Sequence, residues 1–126
     1  MRVILFVASF GALGCVGRYL LSRWTNDLFG AAMPYGTFAV NIIGAFFIGL
    51  VMSCNSFVSQ ELRVGITVGL LGGFTTFSAF SYETFRLLED GLFMRAMLYV
   101  FASVIVCLAF TFAGIIAGRN LQIALQ

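Results

Sequence analysis

Charged residues divide the chain into uncharged runs at 3–17, 28–60, 64–82 and 96–118, which are 15, 33, 19 and 23 residues long. A membrane-crossing helix needs about 20 predominantly apolar residues at a rise of 1.5 Å each. The first run reaches that length if Arg18 snorkels from its end, and the second does so once Pro34 and Gly36 have broken the chain. The pattern therefore predicts an all-α integral membrane protein with four transmembrane helices at about 3–22, 37–55, 63–87 and 94–118. The connections, 22–36, 56–62 and 88–94 around Asp90-Gly91, are short, so sequence neighbours are expected to run antiparallel within one transmembrane domain spanning 1–126.

Composition supports this. Of 126 residues, 61% are hydrophobic and only 10% charged, with a mean hydropathy of +1.05. Soluble domains carry about 25% charge, so lipid must be the solvent. Seven arginines against five acids, a net +2, make no nucleic-acid surface. Cys15, Cys54 and Cys107 are an odd number in separate apolar stretches, and histidine is absent, so neither a disulfide framework nor a zinc site is expected. The segment from Arg2 to Cys15 resembles a signal peptide in part, but apolar sequence resumes at Tyr19-Leu20-Leu21, as in a retained helix.

The arginines give almost no orientation signal. Arg2, Arg63 and Arg119 fall on one side and Arg18, Arg23, Arg86 and Arg95 on the other. Such balance suits a chain that inserts both ways and pairs as an antiparallel, dual-topology homodimer; a fixed single orientation is the alternative. Glycines at 65, 69 and 73 and at 114 and 118 supply small faces for close helix packing, and suggest that the third helix is central.

The third span carries the candidate chemistry. Gly72 and Gly73, followed by Thr75 and Thr76, lie at mid-membrane and make a poor helix interior. A break there frees carbonyls that cannot face lipid and would meet protein, water or a hard cation. The alternative is an unbroken helix whose glycines admit a neighbour. Phe77 and Phe80 share a helical face; they are either core or a pair of rings whose positive edges face an anion. Asn41, with Thr37 one turn before it, offers amide donors suited to a small anion, or else interhelical glue. Arg18, Asn41, Phe77, Phe80, Tyr99 and Ser103 all fall in the same half of the bilayer.

At these residues the chain resembles the Fluc (CrcB) family of bacterial fluoride channels. Gly17-Arg18-Tyr19 is similar to the segment ending that family's first helix, and 36–41, Gly-Thr-Phe-Ala-Val-Asn, fits its Gly-Thr-x-x-x-Asn. Residues 72–81, Gly-Gly-Phe-Thr-Thr-Phe-Ser-Ala-Phe-Ser, fit its Gly-Gly-x-Thr-Thr-Phe-Ser-x-Phe-Ser, with Glu83 following. The resemblance implies passive fluoride export across the bacterial inner membrane through an antiparallel homodimer, protecting the cell from fluoride and requiring no enzyme chemistry. It also implies one structural Na⁺ at the dimer centre, held by backbone carbonyls of Gly72 and Thr75. Phe77 and Phe80 would present ring edges to the ion, Asn41 would donate to it, and Thr37, Thr76, Tyr99 and Ser103 would extend a polar track. Arg18 would enrich anions at the vestibule. Cys107 departs from a second serine carried by some members, which leaves the far end of the track open. The competing readings are a small proton-coupled multidrug exporter, which needs a carboxylate deep in helix one where 3–17 has none, and a structural subunit of a membrane complex.

Overall fold

The computed structural model describes residues 1–30, 32–54 and 58–124. Four long apolar helical spans make up the chain, Arg2–Phe29, Tyr35–Ser53, Gln60–Glu89 and Phe93–Ala124, and each is long and apolar enough to cross a membrane. The first two are α1 and α2. The third is composite: α3 (Gln60–Val64), a π-helical segment (Gly65–Leu71), α4 (Gly72–Phe74), an extended pair at Thr75 and Thr76, then α5 (Phe77–Glu89). The last is α6 (Phe93–Ala124).

The spans overrun the lengths expected from hydropathy. Helix one continues to Phe29 rather than stopping near 22, because Arg23 to Asp27 are polar but not helix-breaking and Thr25 bonds back to the Leu21 carbonyl at 2.7 Å. It stops at Gly30, whose φ of 75° is open to glycine without strain. Gly36 is no breaker; Pro34 is the N-cap of α2 and Gly36 lies in its first turn. The second helix is described as far as Ser53, so the expected end at Asn55 lies outside the described residues. Ser59 starts α3 by accepting the Leu62 N–H at 3.3 Å, three residues before the expected start. α6 continues six residues past 118 to Ala124.

Packing follows the small residues. A methyl added at Gly49 would meet the Thr111 carbonyl, and one at Gly114 the Phe46 carbonyl, so α2 and α6 touch backbone to backbone. Contacts advance together along both helices, from Phe46 against Gly114 to Ser53 against Gly118, so the two run parallel. Gly65, Gly69 and Gly73 turn toward α1, at Phe6, Val7 and Gly11. The third span is thus seated on α1, and the closest backbone pairing in the bundle also includes α2 with α6; the third helix is not its single centre. Leu87, Ala96 and Tyr99 form a small buried cluster where α5 meets α6. Elsewhere large apolar side chains such as Leu5, Phe101, Ile105 and Leu108 are exposed, as lipid-facing positions are.

The third span is broken within the expected Gly72–Thr76 stretch, at its threonines. Gly72 keeps helical angles of −64° and −36°, and the chain becomes extended only at Thr75 (−86°, 160°) and Thr76 (−153°, 120°). Two neighbours fix it there. Asn41 grips the Thr76 backbone from α2. Gly44, one turn later, leaves room for the Thr75 methyl, which a side chain at 44 would collide with. The β-branched pair, more than the glycine pair, sets where the helix yields.

Candidate ion-binding site

The break redirects four backbone groups. In a continuous helix the Thr76 N–H would close on the Gly72 carbonyl and the Ala79 N–H on the Thr75 carbonyl. Here the Thr76 N–H donates to Asn41 Oδ1 at 2.9 Å, and the Ala79 N–H donates to Thr76 Oγ1 at 3.2 Å as the N-cap bond of α5. The Gly72 and Thr75 carbonyls thereby lose their helical donors. Asn41 Nδ2 in turn donates to the Thr76 carbonyl at 3.1 Å, so one amide holds both sides of the extended residue. The next carbonyl, Gly73, accepts from Arg18 Nε at 3.0 Å. A guanidinium at the C-terminal end of a half-helix meets the negative end of its dipole.

Beside the break lies a cavity of about 280 Å³ lined by Asn41, Thr75, Thr76, Phe77, Phe80, Ser103, Val104 and Cys107. α5 begins at the break and so places Phe77 and Phe80 on its first turn, with ring centroids 5.5 Å apart and planes tilted by 45°. Phe80 also meets Tyr99 at 5.2 Å. Ser103 faces them from α6; it is only 7% exposed, and its Oγ has no hydrogen-bond partner. A buried hydroxyl without a partner is rare in native proteins and calls for a guest in the space it faces. Phe77 is the opposite case, 78% exposed on the single chain.

The remaining sequence candidates form a second group. Thr37 Oγ1 donates to Glu83 Oε1 at 2.7 Å and the Tyr99 hydroxyl donates to Glu83 Oε2 at 2.9 Å, so one carboxylate ties α2, α5 and α6. Thr37 and Glu83 also line a polar cavity of about 350 Å³ with Ser22, Asn26, Arg86 and Asp90. Tyr99 and Thr37 thus join the first cavity only through Phe80 and the shared carboxylate. Arg18 sits at the break, bonded to the third span. Sequence reasoning left Glu83 without a role and did not single out Gly44. An acid following directly on the uncharged run 64–82 was the available signal for Glu83; the Thr75 methyl seat at Gly44 had none, because it depends on the pairing of two spans.

Among the described residues there is no group of three His, Cys, Asp or Glu side chains that could hold a metal. The oxygens released by the break are the Gly72 and Thr75 carbonyls, whose hard, neutral character fits an alkali cation and not a transition metal.

Four apolar spans, one of them broken at half-height and bordered by a cavity of phenyl, hydroxyl and amide groups, define an all-helical multi-pass membrane protein. The sequence matches the family described as "CrcB-like protein, Camphor Resistance (CrcB)" over residues 5–115, and the chain belongs to that family. Its relatives carry the name "Fluoride-specific ion channel FluC". One from Geotalea daltonii is 60% identical over 122 residues, covering 94% of this chain and 98% of the relative. Those from Geobacter sulfurreducens and Geotalea uraniireducens are 60% and 58% identical over 124 residues, covering 96% of this chain and all of each relative.

Proposed function

We propose that this chain is a fluoride-selective channel that lets the ion leave a bacterial cell passively across the inner membrane. The observation that carries the reading is the cavity in which the unpartnered Ser103 hydroxyl faces Phe77, Phe80 and the Asn41-clamped break. Fluoride holds its hydration water tightly, and a narrow lane must replace that water with strong donors and positive edges in series. Ser103 supplies a free hydroxyl, the Asn41 amide has one N–H beyond the one given to Thr76, and the two rings supply their edges. A larger halide gains less from those donors and fits the lane worse. The names carried by relatives at 58–60% identity agree with this reading.

The working unit we infer is an antiparallel homodimer. One feature of the single chain supports a second copy: Gly72 is exposed and its carbonyl has lost its helical donor, which does not suit bare lipid at mid-span. Gly72 and Thr75 carbonyls would hold a structural Na⁺, whose charge, when bound, would neutralise the oxygens gathered at the break. Arg18 then has two roles, holding the Gly73 carbonyl and giving positive charge to the ion's approach.

The test is efflux from liposomes containing the purified protein, followed with a fluoride electrode and with chloride as control. Valinomycin in a potassium gradient should accelerate fluoride release and leave chloride behind. Equal release of both halides, or no response to the potential, would overturn the reading.

A further inference from the structure

Cys107 lies one helical turn after Ser103 on α6, and both line the cavity that holds Asn41, Phe77 and Phe80. The thiol is half-buried and outside any disulfide. The neighbouring Ser103 Oγ, buried and unpartnered, independently marks this space as one built to receive a guest. Cys107 is chemically unlike everything else there. The other polar groups of the cavity are hydroxyl, amide and backbone oxygens or nitrogens, which are hard, whereas a thiol sulfur is soft and selects soft cations such as mercury(II) and silver(I). Cys15 and Cys54 do not line this cavity; the first is exposed on α1 and the second is buried just after α2.

The geometry points to Cys107 as a soft-metal site inside the conduction cavity, at which an organomercurial closes the path. This rests on the cavity being the fluoride lane. With methylmercury chloride the S–H bond breaks and an S–Hg bond forms, while the proton and chloride leave; no electron changes hands. The product is a neutral, apolar S–Hg–CH₃ group in place of a hydrogen, set beside the Ser103 hydroxyl and the two rings. It removes space and offers no donor in exchange, so the dehydration of fluoride goes uncompensated.

The experiment uses full-length protein in liposomes, with each variant's fluoride efflux after methylmercury chloride divided by its own untreated rate. In a Cys15→Ser/Cys54→Ser double variant, which retains Cys107, the ratio should fall at least about tenfold, since a single-file lane has no bypass within a subunit pair both of whose thiols are occupied. The fall should track the fraction of Cys107 carrying the adduct by intact mass, and excess dithiol should reverse both. In Cys107→Ser and Cys107→Ala the ratio should stay near one. Absence of the adduct at Cys107, full occupancy without loss of flux, or equal block in the Cys107 variants would each overturn the proposal. Untreated flux reads the channel assignment separately: if the untreated protein conducts no fluoride, that assignment fails and this one with it, whereas conduction without block sinks this one alone.

Discussion

The break in the third span depends on one amide, and its removal has a calculable consequence. Asn41→Leu keeps the approximate volume but deletes the 2.9 Å bond from the Thr76 N–H and the 3.1 Å bond to its carbonyl. Hydrogen bonds contribute about 0.5–1.5 kcal/mol each in water and about 0.6 kcal/mol on average between membrane helices. Two of them sum to about 1–3 kcal/mol, and the freed Thr76 N–H can return to the Gly72 carbonyl and close the helix. At about 1.4 kcal/mol per factor of ten, the ratio of broken to continuous helix falls by roughly 5- to 150-fold. Fluoride efflux should fall by up to that factor, and the Thr76 amide of nitrogen-15-labelled protein should change its hydrogen-exchange protection while amides of α2 away from the site do not. Wild-type efflux together with unchanged protection at Thr76 would refute the view that Asn41 holds the break open.

Three other substitutions separate packing, ring chemistry and charge. Phe80→Ile retains an apolar side chain but loses the ring edge in the cavity, and should abolish fluoride efflux while size-exclusion chromatography shows assembly unchanged. Gly44→Ala drives a methyl into the Thr75 side chain, an overpacking cost of about 1–3 kcal/mol, and should lower both efflux and the temperature at which the detergent-solubilised protein aggregates. Arg18→Lys preserves positive charge but not the Nε bond to the Gly73 carbonyl at 3.0 Å; a bond of this charged kind contributes about 1.5–3 kcal/mol, so melting in detergent should drop, whereas a purely electrostatic Arg18 would leave it unchanged.

The amino-acid order determined the number of spans, because bilayer thickness sets a minimum apolar length and the charges of this chain cluster toward the ends of four such stretches, the first reaching it only with Arg18 included. It also marked the third span as the irregular one. Hydropathy under-read the ends, since a helix that leaves the hydrocarbon keeps its own backbone bonds: Arg23 to Asp27 and Arg119 to Ala124 stay helical despite their charged and polar residues. Within the expected stretch, the exact residue at which the helix yields was not legible, for a related reason. Glycines weaken a helix wherever they stand, but the chain yields where another element takes over the backbone bonds, and only the fold brings Asn41 and Gly44 of α2 against Thr75 and Thr76, more than thirty residues away. The same holds for the cavity: spacing put Phe77 and Phe80 on one face, but whether Ser103 and Cys107 stand opposite them, and whether Glu83 joins Thr37 to Tyr99, depends on how α5 lies on α6. Periodicity and charge are local properties of a chain, whereas the partner of a freed carbonyl or hydroxyl is a property of which helices lie side by side.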